Sequence, residues 1–308
     1  MAGLLKPSGA TKLVGALRAE FPDLPIHVHT HDTAGLGAAS MIACYEAGAD
    51  AVDLATDSMS GTTSQPSLGA VVHALHGTDL DTGLDPTHLA AIDDYWTQAR
   101  AVYAPFESGQ KSGSSEVYTH EMPGGQYTNL MFQAGQLGLS EQWPKVKQRY
   151  AEANLALGDI IKVTPSSKVA GDLAQFMVTN DIKDKDELVS KLEASGGTMS
   201  LPQSVVEYFQ GWLGIPHGGF PEKLRSLVLE GRPLLENGKT CFEGRPGAEM
   251  PEYDFDKGRD EIAAQLDYNR AQILNIRDVD VLSHALYVLY LFYIECMTEY
   301  SNILIILY

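Results

Sequence analysis

The chain has 308 residues, 44% apolar and 20% charged, which suits a globular protein with one large or two ordinary cores. Its 40 acidic against 22 basic side chains give a formal net charge of −18, which disfavours a phosphate-backbone partner and sets nucleic-acid binding aside. Three widely spaced cysteines, Cys44, Cys241 and Cys296, offer neither a disulfide framework nor a paired-cysteine metal knuckle and fit a reducing compartment. In chain order, Pro7 suits a first helical turn, and Leu13, Val14, Leu17 and Phe21 recur at helical spacing before Pro22 and Pro25 end the pattern. Residues 27–31 then read as a β-strand whose alternation throws His27, His29 and His31 to one face, with Asp32 following. Neighbouring imidazoles on one rigid face are a ligand set for zinc, manganese, cobalt or nickel. The plainer alternative is a histidine-rich strand end that binds nothing.

Gly35 and Gly37 make the exit turn, 38–47 reads as a small-residue helix, and 51–56 as a second, buried strand. Helix and strand in alternation predict an α/β fold with parallel strands. The polar loop 57–66 at that strand's C-terminal end lies where α/β barrels keep their chemistry, although alone it is only a turn. From residue 70 the strand signals stop. Helical patterns run over 70–76, 86–104, 142–157, 168–179, 184–193 and 202–212, and 230–260 reads as an irregular connection. A boundary near residue 80 therefore divides an α/β unit from a mostly helical one.

Two stretches in the helical unit carry polar groups in an unusual setting. Residues 122–130 read as a recognition loop, a Gly-Gly turn presenting Gln126, Tyr127, Thr128 and Asn129. Residues 162–168 gather three hydroxyls and two ammonium groups ahead of a helix, which favours an anion at the helix N-terminus. The alternative there is an N-cap by Ser166 or Ser167, worth about 1 kcal/mol. The sequence shows no targeting leader and no internal repeat. The apolar runs 288–294 and 303–307, interrupted by Glu295, Glu299 and Asn302, are each too short for a transmembrane helix, so no membrane partner is expected.

Five segments then act together: His29-Thr30-His31-Asp32-Thr33, residues 57–61 with 63–67, residues 123–130, residues 163–168, and Ile215-Pro216-His217-Gly218-Gly219-Phe220-Pro221. In order and spacing, from Met1 to about Tyr287, they resemble the carboxyltransferase domain of pyruvate carboxylase. The resemblance implies the C-terminal portion of a TIM-type barrel, its last two strands with their helices, over residues 1–80. A mostly helical funnel domain over 81–287 would follow, and 288–308 would be an apolar tail departing from the family pattern.

Carried over residue by residue, the resemblance implies a divalent metal, manganese, zinc or cobalt, on His29 and His31, with His27 deeper in the strand and no ligand. It implies Thr164 as the proton shuttle between pyruvate and biotin, a role suited to a hydroxyl that both donates and accepts. Gln126, Ser167 and Lys168 would receive carboxybiotin. The implied reaction moves CO2 from carboxybiotin to the methyl carbon of pyruvate and yields oxaloacetate. Biotin would ride on a separate carrier domain, ATP would be used by another domain, and the parent enzyme would be a homotetramer of the mitochondrial matrix or cytoplasm.

The family's carbamylated lysine, its aspartate ligand and its pyruvate-binding arginines would fall upstream of Met1. Two strands cannot close an eight-stranded barrel. The 308-residue chain alone is therefore expected to be poorly stable and without turnover. Gln126 favours pyruvate carboxylase over an oxaloacetate decarboxylase α-subunit or a transcarboxylase subunit. A non-catalytic binding module is the remaining alternative.

Overall fold

The computed structural model describes residues 3–196 and 199–265. Helix α1 (Pro7–Glu20) starts on Pro7, whose missing N–H costs nothing in a first turn, and buries Ala10 and Val14. Strand β1 (His27–Val28), helix α2 (Gly37–Glu46) and strand β2 (Ala51–Val52) follow. The strands pair in parallel, His27 opposite Ala51 and Val28 opposite Val52. Helices α1 and α2 pack together, and Ala10, Val14, Ala43, Cys44 and Ala49 form a small apolar cluster between them and the strands. Small residues on α2 allow that close approach. Arg18 ties the end of α1 to the turn before β2, donating to the Gly48 carbonyl from Nε and Nη2 at 3.0 and 2.8 Å and pairing with Asp50.

Helix α3 (Leu68–Leu75) is capped by Ser67, whose Oγ accepts from the Ala70 amide at 3.0 Å. Helix α4 (Pro86–Tyr103) is capped by Asp85 and buries none of its residues. Helices α5 (Val117–His120), α6 (Gly124–Gln136), α7 (Trp143–Ala156), α8 (Ser166–Thr179), α9 (Lys185–Ser195), α10 (Gln203–Gln210) and α11 (Glu222–Leu229) come next. Short α12 (Pro246–Glu249) and then α13 (Phe255–Gln265) complete the described elements. The main core lies here, with α8 packed between α7 and α10. Leu173 and Met177 of α8 are fully buried and contribute roughly 2 kcal/mol each by burial. The fold is thus a partial α/β barrel followed by a helical assembly.

Several expectations change. The ladder ends at Val28, so His29 and His31 stand in the loop after β1 and not on a continuous strand. There the main chain leaves its partner, and Asp32 N instead donates to Ser64 O at 2.8 Å. The second strand likewise stops at Val52, and Ala55 bridges to Ser67. Residues 122–130 are not a loop: α6 begins at Gly124, which places Gln126 to Asn129 on its first turns. Ser166 and Ser167 do not cap α8, whose N-cap is Pro165; the Ser166 hydroxyl accepts from Val163 N at 3.1 Å within the preceding turn. Helices α12 and α13 interrupt what reads as an irregular connection. Cys44 and Cys241 are free thiols. Among the described residues no helix is long and apolar enough to cross a membrane; Cys296 and the apolar tail 288–308 lie outside them.

Candidate functional site

Asp53 follows β2 directly, and its amide donates to Val28 O at 3.0 Å, extending the parallel pairing by one bond. Its carboxylate receives two histidines: His27 Nε2 donates to Oδ1 at 2.5 Å and His29 Nδ1 to Oδ2 at 2.7 Å. Burial alone would raise the Asp53 carboxyl, but the two imidazole N–H groups outweigh it and hold the group below its usual range. His31 takes a different route and donates from Nδ1 to the Thr63 carbonyl at 2.5 Å. The His29 and His31 rings lie edge to face, centroids 5.3 Å apart. Burial pushes His31 down to about 4, against the pull of the Thr63 carbonyl and with help from neighbouring His29. It is therefore neutral near pH 7, the state in which imidazole binds a metal.

In a neutral ring whose Nδ1 is spent as a donor, Nε2 carries the lone pair. That donor chemistry fits a divalent cation at this pair. Beside them Thr33 Oγ1 is buried without a hydrogen-bond partner among the described residues. No group of three or more His, Cys, Asp or Glu side chains among the described residues is arranged to hold a metal, so the pair alone does not complete a coordination shell.

The other predicted residues sit around the start of α8. Thr164 is exposed and makes no side-chain hydrogen bond among the described residues. Ser167 is buried, and its carbonyl accepts from Tyr150 Oη at 3.3 Å. Lys168 is half exposed and pairs with Asp172 one turn on, at 2.7 Å. Lys162 differs from the free ammonium expected of it. It is 1% exposed and ion-paired with Glu121 at 2.8 Å, which binds the segment carrying Thr164 to the turn ahead of α6.

Helix α6 connects these groups. A methyl at Gly124 would fall 2.6 Å from His31 Nδ1, so the helix begins in contact with His31. Half a turn on, Gln126 leans on α8: its Nε2 lies 2.7 Å from where a Gly171 methyl would be. The structure thus brings His29 to His31, and Gln126 to the helix bearing Ser167 and Lys168. No hydrogen bond joins Thr164 to the histidines. A separate cavity of about 240 Å³ lies between the 57–59 turn, α3 and α4, lined by Thr56, Asp57, Met59, His73, Asp93 and Trp96; none of the predicted site residues lines it.

Residues 117–303 match a family model described as a conserved carboxylase domain, and residues 1–95 match the HMGL-like family. The chain belongs to this carboxylase family. It is 50% identical over 287 residues to pyruvate carboxylase of Aspergillus niger, covering 93% of this chain and 22% of that protein. Against the mitochondrial pyruvate carboxylase of Homo sapiens it is 50% identical over 289 residues, with 93% and 23% covered. Among solved structures it is similar to the carboxyl transferase domain of Rhizobium etli pyruvate carboxylase with pyruvate and biocytin. That match has TM-score 0.78 and 47% identity, covering 89% of this chain and 44% of that one. The carboxylase chain therefore spans less than a quarter of the curated relatives it matches.

Sequence reasoning missed Asp53, Gly124 and the Lys162–Glu121 pair. A strand residue opposite the histidine run was a readable signal for Asp53, because parallel neighbours share a register. For a glycine at helical position one no signal was available without the partner helix.

Proposed function

We propose that the chain supplies part of the carboxyltransferase site of a pyruvate carboxylase, the half-reaction that carries CO2 from carboxybiotin to pyruvate and gives oxaloacetate. The observation that supports this best is the geometry of His29 and His31, two adjacent imidazoles whose Nδ1 atoms are both hydrogen-bonded, which leaves Nε2 of each for a cation. A divalent metal there, manganese, zinc or cobalt, supplies positive charge that stabilises an enolate next to the pyruvate carboxylate. The ligands that complete its shell come from outside the described residues.

The remaining steps belong to side chains of this chain. Thr164 Oγ1, exposed and uncommitted, would accept a proton from the pyruvate methyl group while passing its own to the biotin nitrogen that has released CO2, leaving the methyl carbon to form its new bond to that CO2. Gln126 and Ser167 offer an amide and a hydroxyl to a ureido ring. Lys168 offers its ammonium to the carboxylate, on exchange with Asp172. Gln126 at the end of Pro-Gly-Gly supports pyruvate carboxylase over the related decarboxylase subunits. Residues 1–80 would be the barrel portion and 81–287 the funnel, in a homotetramer of the mitochondrial matrix or cytoplasm whose biotin carrier and ATP-using domains lie elsewhere.

The test is oxaloacetate formation from pyruvate and carboxybiotin by the carboxylase polypeptide that carries this segment. Thr164→Ala is expected to lower kcat by about 10²- to 10⁴-fold with metal content unchanged. Parental turnover in that variant would remove Thr164 from the proton path.

A further inference from the structure

The third histidine of the run is left over by the metal reading, and so is the carboxylate it binds. Both belong to one arrangement. A carboxylate only accepts hydrogen bonds, so each ring nitrogen facing Asp53 carries a hydrogen: His27 at Nε2 and His29 at Nδ1. A neutral His29 held in that way has its lone pair at Nε2. The Asp53 carboxylate is itself fixed, because its amide is bonded to Val28 O and β2 pairs with β1 on the preceding residues. His27 occupies Oδ1 and so directs Oδ2 at His29. His31 needs no such partner, since a main-chain carbonyl does the same work at its Nδ1.

We propose that Asp53 is a positioning residue that locks His29 in its Nδ1–H tautomer, aims Nε2 at a divalent cation, and is itself steadied by His27. The inference rests on the reading of His29 as a ligand. Outer partners of this kind fix ring orientation and raise ligand basicity, and losing one weakens metal binding by about 10- to 100-fold. His27 then has a role without touching the metal.

The experiment uses the carboxylase polypeptide that carries this segment, with ¹⁵N-labelled histidine. Long-range ¹H–¹⁵N spectra of the metal-free protein report which nitrogen of each ring carries the proton, and His29 is assigned by its loss in His29→Ala. Manganese, zinc and cobalt uptake is then titrated on the same samples. The parent is expected to show His29 protonated at Nδ1. Asp53→Asn, nearly isosteric, should shift His29 toward the Nε2–H form and weaken uptake about 10- to 100-fold. Asp53→Ala should shift it further, and His27→Gln should have a smaller effect in the same direction. A His29 tautomer unchanged in Asp53→Asn and Asp53→Ala overturns the role of Asp53, whatever the metal does. A tautomer that shifts in the Asp53 variants while the parent takes up no metal overturns His29 as a ligand, and with it the purpose assigned to Asp53. Circular dichroism on each variant separates these results from unfolding.

Discussion

Gly124 is the residue on which the proposed site most depends and the one whose replacement can be worked from distances. An alanine there would place its methyl 2.6 Å from His31 Nδ1, 2.7 Å from Thr33 Oγ1 and 2.8 Å from His31 Cβ. Ordinary contact is roughly 3.5 to 4.0 Å, so three atoms are overlapped by about 1 Å. The ring cannot simply swing aside, because it is half-buried and its Nδ1 donates to Thr63 O. Either α6 lifts or that bond breaks. Overpacking costs about 1–3 kcal/mol, and a buried hydrogen bond about 1 kcal/mol. The intrinsic helical gain of Ala over Gly offsets at most about 1 kcal/mol. Gly124→Ala is therefore expected to lose about 1–3 kcal/mol in urea unfolding followed by circular dichroism. The control is Gly15→Ala in α1, where a methyl meets nothing within 4 Å, and about 0.5–1 kcal/mol should be gained. A Gly124→Ala midpoint equal to the parent's, with Gly15→Ala raised, would refute the contact between α6 and His31.

Two further predictions concern stability. In α9, Asp184 Oδ1 accepts from Glu187 N while Glu187 Oε2 accepts from Lys183 N, both at 2.9 Å. Asp184→Ala should cost about 1 kcal/mol in the same urea assay, and a loss below a tenth of that would deny the cap its role. His120 is pushed down to about 4 by burial, then by Lys147, while an unfolded histidine titrates near 6.5. Between those values the unfolded state binds more protons, so this contribution is complete above about pH 6.5 and is lost as pH falls toward 4. The loss is on the order of 2–3 kcal/mol, and the stability gap between the parent and His120→Gln should narrow by that amount from pH 7 to 4. A gap independent of pH would show that His120 is accessible to water in the folded chain.

What could be read in advance followed local rules. Pro7, Pro86 and the apolar spacing of 143–156 mark helices through effects confined to a turn or two, and α1, α4 and α7 stand close to where the pattern puts them. The histidine run was legible as chemistry but not as geometry. His27 and His29 do reach one carboxylate and His29 touches His31, but the strand itself ends after Val28, and non-local pairing decides where it stops. Residues 122–130 show the same limit. Pro-Gly-Gly signals a turn locally, yet α6 starts there because packing against α8 repays the cost of helical glycine. Lys162 reads only as one of two ammonium groups ahead of a helix, and the three-dimensional approach of Glu121 is what offsets the cost of its burial.

These departures converge on one junction. The His29–His31 pair belongs to the chain after β1, whose apolar support is the small α1–α2 cluster, whereas Thr164, Ser167 and Lys168 stand at the start of α8, which the larger core supports. Gly124 against His31 joins the two, while Gln126 against Gly171 and Lys162 with Glu121 fasten α6 and the turn before it to the α8 side. All three lie within the turn before α6 and its first residues, or on what that turn touches. On the proposed reading the distance from a bound cation to Thr164 is set here and not within either core, and a misplacement of about 1 Å can cost about 10²-fold in rate. The absence of a side chain at Gly124 then matters for catalysis on that reading, because it lets a helix carrying Gln126 begin against the ring of His31.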